Sequence, residues 1–98
     1  MLDVLMLFPR SADPDRLAGV LDRLVPSLQG ARGLRSLKVS HGELMAKGSR
    51  PEYAAVVELS FDSLADWMAA IPTAERQDER DAFDEVDPLV LFFEVRQP

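Results

Sequence analysis

The chain is 98 residues long, 47% hydrophobic and 29% charged, and its 17 acidic against 11 basic residues give a formal net charge of -6. Such an excess of carboxylates repels phosphate backbones and anionic lipid, so neither nucleic acid nor a membrane surface is an expected partner. The absence of cysteine excludes a disulfide framework, thiol catalysis and a thiolate metal site, and makes a reducing cytoplasm the expected setting. A chain of this length is expected to form one domain over residues 1–98, removing roughly 65% of its extended-chain surface from water on folding.

Residues 2–8 (LDVLMLF) read as a strand: the apolar run is too short to span a bilayer and has no basic leader. Asp13 as N-cap, Pro14 at the first helical position and Asp15 in the first turn predict a helix over 14–25. Leu17, Val20, Leu21, Leu24, Val25 and Leu28 recur at the three- and four-residue spacing of one apolar face. Pro26 cannot donate to the carbonyl four residues back, so this helix is expected to kink or end near Val25. Gly30 and Gly33 then turn the chain into a second strand, 34–41 (LRSLKVSH). A long connection, 43–52, has turn signals at Gly48 to Pro51 and leads to a third strand, 53–61 (YAAVVELSF). A second helical region, 63–85, opens at Asp62 or Ser63 and is expected to bury Leu64, Trp67, Met68 and Ile71. Pro72 interrupts it, and Thr73 caps a further helix through Glu85. Within it the acidic stretch 75–87 reads as a solvated helix face with Ala82, Phe83 and Val86 on one side. Residues 89–95 (LVLFFEV) are the last strand.

Period-two alternation separates two faces of the sheet. One, through Leu2, Val4, Met6 and Phe8 to Leu89, Leu91 and Phe93, is almost wholly apolar and is expected to receive the helices. The other interleaves Leu5, Leu7, Val56, Val90 and Phe92 with Asp3, Lys38, Glu58 and Glu94. Monomers seldom expose contiguous apolar patches beyond a few hundred Å², so Leu5, Leu7, Val56, Val90 and Phe92 are expected to meet a second copy of the chain. Strand, helix, strand given twice with right-handed crossovers predicts an α+β, ferredoxin-like βαββαβ fold: an antiparallel sheet with helices on one face, pairing into a homodimeric α/β barrel.

Several segments carry a family resemblance across nearly the whole chain. They are the opening strand with the Asp13-Pro14 helix start, Gly33-Leu34 leading into Val39-Ser40, and Tyr53-Ala54-Ala55-Val56-Val57-Glu58-Leu59-Ser60-Phe61-Asp62-Ser63-Leu64. In these the chain resembles the EthD-like branch of the dimeric α/β-barrel superfamily. The resemblance implies a homodimer and a small-molecule binding or catabolic accessory role. It breaks at Leu24-Val25-Pro26: where the family often carries His-x-Pro, the proline is kept and leucine replaces the histidine, so that imidazole's role does not carry over. Cofactor-free oxygenases and haem-degrading enzymes on the same fold use asparagine, tryptophan, histidine or tyrosine around the cavity, and this chain has no asparagine.

Among individual residues, Glu58 is the candidate catalytic group. It sits mid-strand on the mixed face, where desolvation raises a carboxylate's pKa and fits it for proton transfer. Lys38, on the neighbouring strand and the same face, instead offers it a structural ion pair. Further candidates for a ligand cavity are His41, Tyr53, Val56, Ser60, Phe92 and Glu94. His41 with Glu43 supplies two ligands where a metal needs more, so His41 reads as a rim residue and no metal or other cofactor is expected. Ser40 and His41 point to opposite faces of a strand, which disfavours serine hydrolysis, and Trp67 reads as core. Three functions remain: binding of a small apolar or aromatic ligand in a largely apolar cavity between sheet and helices or within the barrel; cofactor-independent oxygenase or isomerase chemistry with Glu58, alone or with His41 or Tyr53, moving a proton; or a non-catalytic assembly module.

Overall fold

The computed structural model describes residues 1–70 and 77–96. In chain order these form β1 (Leu2–Pro9), α1 (Pro14–Gln29), β2 (Leu34–Val39), β3 (Tyr53–Phe61), α2 (Leu64–Ala70), α3 (Gln77–Val86) and β4 (Leu89–Glu94). The four strands make one antiparallel sheet in the order β2-β3-β1-β4. This is the ferredoxin-like arrangement that the element order predicts.

Local chemistry starts and stops these elements where the sequence marks them. The Asp13 carboxylate accepts from the Asp15 and Arg16 amides at 2.9 and 3.4 Å, and Pro14 occupies the first turn of α1. Ser63 caps α2, its Oγ accepting from the Asp66 amide at 3.2 Å and donating to the Asp66 carboxylate at 3.1 Å. Gly33, at φ +81°, lies against that carboxylate, so a side chain here would be both left-handed and in collision with Asp66.

α1 runs on past Pro26 to Gln29, so of the two expectations, a kink or an end near Val25, the end does not occur. Leu24 and Leu28 remain buried on either side of the proline, so packing against the sheet holds the last turn together. Ser27 Oγ donates back to the Arg23 carbonyl at 3.1 Å, an additional side-chain bond in the turn that contains Pro26. β2 stops two residues short of the expected end, although Ser40 still exchanges bonds with Val56: its amide donates to the Val56 carbonyl and its Oγ accepts from the Val56 amide, both at 2.9 Å. The second helical region divides into α2 and α3. Ile71, Pro72 and Thr73, on which the expected burial, break and cap fall, lie outside the described residues.

The core lies between the sheet and the helices. β1 buries Leu2, Val4, Met6 and Phe8 against Ala55, Val57, Leu59 and Phe61 of β3, beneath Leu17, Val20, Leu24 and Leu28 of α1, with Trp67 and Val86 from the other helices. Phe8 meets Phe83 edge-on at 6.2 Å, and Phe61 meets Trp67 at 5.7 Å. Two exposed ion pairs, Arg16 with Glu85 and Arg35 with Asp62, tie α1 to α3 and β2 to the α2 entry. Being solvated, each contributes about 0–1 kcal/mol.

β4 departs from the expected facing. Its register with β1 sets Glu94 opposite Leu2, Phe92 opposite Val4 and Val90 opposite Met6. Directly opposed residues share a face, so Val90, Phe92 and Glu94 lie on the helix side, and Leu89, Leu91 and Phe93 on the open side. Five consecutive apolar residues, Leu89 to Phe93, give alternation no contrast. Only pairing with β1 settles which way each one points.

Candidate functional site

Register reduces the open face to three rows across the sheet. Phe93, Asp3, Ser60 and Ser36 form the first; Leu91, Leu5, Glu58 and Lys38 the second; Leu89, Leu7 and Val56 the third. The β4 half is therefore apolar and the β2 half polar. Leu89, Leu91 and Phe93 are 43%, 44% and 47% exposed in the single chain, too much for an edge strand whose apolar side chains meet only water.

Lys38 stands directly opposite Glu58, as expected. Yet no ion pair joins Lys38 to Glu58, so the cross-strand pair is not made in the single chain. Glu58 is exposed, so the burial invoked for a proton-transfer group is absent from the single chain. Ser60 Oγ donates to Asp3 at 2.6 Å and is thereby engaged beside it. His41 and Glu43 are exposed beyond the end of β2. Glu94 sits at the sheet rim. Tyr53 falls elsewhere again, lining a mixed cleft with Ser11, Glu85, Asp87 and Leu89. The sequence candidates thus do not converge on one site.

A site does exist on the other side of the sheet. A cavity of about 360 Å³ opens between sheet and helices, within the size range of small-molecule pockets. Met6 and the displaced pair Val90 and Phe92 form its floor; Leu24 and Leu28 of α1 form one wall; Trp67, Met68 and Ala70 of α2 and Phe83 of α3 close the rest. Two of these, Phe92 at 53% and Met68 at 57% exposed, reach solvent and mark the mouth. Leu24, the position at which the resemblance noted above breaks, lies on the wall.

No ionisable side chain lines this cavity among the described residues. It can hold an apolar molecule and exclude water from it, but supplies no acid or base. The Trp67 indole is 5% exposed, and its Nε1 is buried with no hydrogen-bond partner among the described residues. An unpaired buried donor costs about 1–3 kcal/mol. Trp67 is in the core as its helical spacing predicts, whereas Leu64 and Met68, expected to be buried with it, are 45% and 57% exposed. The cavity's lining is not legible from the sequence, because the helix-side placement of Phe92 requires the β4 register.

No family model matches the sequence, and no curated protein matches it. Comparison with solved structures does find the fold. An ethyl tert-butyl ether D (EthD) family protein from Bacillus halodurans C-125 superposes with a TM-score of 0.70 at 15% identity, covering 98% of this chain and 99% of that one. SnoaB, a cofactor-independent oxygenase from Streptomyces nogalater, gives 0.71 at 12% identity over 99% and 94%. A dimeric ferredoxin-like protein of unknown function from Thermobifida fusca YX gives 0.68 at 15% identity over 96% and 90%. The chain therefore has the ferredoxin-like fold anticipated from its element order, the fold shared by these proteins. Among the described residues no helix is long and apolar enough to cross a membrane.

Proposed function

We propose that the protein is a homodimeric small-molecule binding or catabolic accessory protein of the cytoplasm, and that its ligand, small and apolar or aromatic, sits in the cavity between sheet and helices. The observation that carries this reading is the lining itself: a chamber of about 360 Å³ walled, among the described residues, by apolar and aromatic side chains and open at Phe92 and Met68. A hollow of that size forfeits packing contacts unless something fills it. Leucine in place of histidine at position 24 removes the polar group the resemblance expects there and suits an uncharged occupant. A second copy covering Leu5, Leu7, Val56, Leu89, Leu91 and Phe93 explains the open face, and the dimeric ferredoxin-like protein of T. fusca supports that assembly.

The catalytic alternative, an oxygenase or isomerase using Glu58, draws support from the likeness to SnoaB. It requires the reaction to occur between the two copies, because Glu58 is on the sheet face opposite the cavity. Titration with the neutral fluorophore N-phenyl-1-naphthylamine tests the binding reading. Saturable enhancement at micromolar probe is expected, and Ala70→Phe, which fills the chamber from α2, should abolish it while leaving the melting temperature close to wild type. Absence of binding to the wild-type protein would refute the reading.

A further inference from the structure

β4 is an edge strand, and its outer edge is unpaired. In an antiparallel ladder, residues bonded to the neighbouring strand alternate with residues that point their backbone groups away from it. The Val95 amide donates to the Met1 carbonyl at 2.8 Å, so Phe93, Leu91 and Leu89 also bond inward to β1, and Val90, Phe92 and Glu94 turn their N–H and C=O outward. Among the described residues nothing meets those outward groups. Edge strands are ordinarily guarded against further pairing by charged side chains, proline or bulges. β2, at the opposite edge, carries Arg35 and Lys38. β4 runs from Leu89 to Phe93 without a charge, a proline or a register shift.

Resting on the homodimer of the reading above, we propose that the two copies join edge to edge through β4, antiparallel about a two-fold axis at Leu91, into one continuous sheet. The strand is self-complementary in this register. Leu89 lies opposite the partner's Phe93, Val90 opposite the partner's Phe92 and Leu91 opposite the partner's Leu91, so every cross-strand pair is apolar and the outward groups of Val90 and Phe92 are satisfied. The neighbouring registers, centred on Phe92 or on Val90, set Glu94 opposite Val90 or Phe92 opposite Pro88, which has no N–H to give. Joining β4 to the partner's β2 instead sets Leu89, Leu91 and Phe93 beside Ser36 and Lys38 on the open face. A sheet that curls about the β4 seam closes toward a barrel and brings the apolar halves of the two open faces together. On the helix side, the partner's Val90 becomes the cross-strand neighbour of Phe92 at the cavity mouth, so the second copy contributes to the rim of each chamber.

Amide hydrogen exchange on the unmutated protein tests the seam, with light scattering at the same concentration reporting assembly. The Val90 and Phe92 amides should exchange as slowly as those of Leu89 and Leu91, rather than at the rate of a free edge. Leu91 and the partner's Leu91 form a non-hydrogen-bonded pair with Cα atoms about 4.5 Å apart, within disulfide reach, and the chain has no cysteine of its own. Leu91→Cys should therefore oxidise to a covalent dimer. A dimer whose Val90 and Phe92 amides exchange freely would overturn the edge pairing and leave the homodimer standing. Protected amides without cross-linking of Leu91→Cys would overturn the register. A monomer would overturn both the seam and the homodimer.

Discussion

At the residue scale, the two side chains that matter most to any functional account sit on opposite faces of one sheet. Glu58 is opposed by Leu5 and Lys38 on the open side, and Trp67 closes the helix side against Phe61. Neutralising Glu58 should therefore leave the cavity untouched: Glu58→Gln is expected to bind N-phenyl-1-naphthylamine with wild-type affinity. The substitution removes an exposed carboxylate with no ion-pair partner among the described residues, so it should change the stability of the isolated chain by no more than about 0.5 kcal/mol. Fluorescence titration and thermal melts check both. A lost binding signal would mean that Glu58 and the cavity communicate, contrary to the geometry. Glu58 was singled out from sequence because a carboxylate between Val56 and Ser60 has an evident chemical use. Trp67 was read as core from its helical spacing with Leu64, which is where it lies, and its share of the cavity wall leaves no trace in a sequence.

At the scale of elements, punctuation was legible and parity was not. Asp13-Pro14, Ser63 and Gly33 each act through contacts within a few residues or at one close approach, which is why their positions could be read directly. The persistence of α1 past Pro26 could not, because it depends on Leu28 being held by the sheet. β4 is the instructive case: an unbroken apolar run carries no period, and its facing is imposed by the β1 ladder. That facing makes an opposed pair of substitutions informative. Phe93→Asp, on the open face, should convert a dimer of twice the 10.9 kDa chain mass into monomer, since a buried carboxylate facing apolar groups costs several kcal/mol. Phe92→Asp, on the helix side, should retain the dimer and weaken ligand binding at the cavity mouth. Light scattering distinguishes the two, and the reverse pattern would contradict the register.

At the scale of the whole molecule, a single four-stranded sheet presents two apolar surfaces with separate destinations. The helices cover one incompletely and leave a chamber; the other is apolar toward β4 and polar toward β2, and is assigned to a second copy. The order of elements foretold a one-sided helical layer. A largely apolar cavity between sheet and helices was one of two places the resemblance offered for a ligand, but its lining was not legible, because it depends on side chains from five elements failing to fill one volume. The most direct test of the account is a methionine-methyl spectrum recorded with and without N-phenyl-1-naphthylamine. The chain has four methionines: Met6 and Met68 line the cavity, while Met1 is exposed and Met45 is 94% exposed in the loop before β3. Ring currents from a ligand in the chamber should shift Met6 and Met68 and leave Met1 and Met45 in place. Saturable binding without movement of Met6 and Met68 would put the ligand elsewhere and contradict the account.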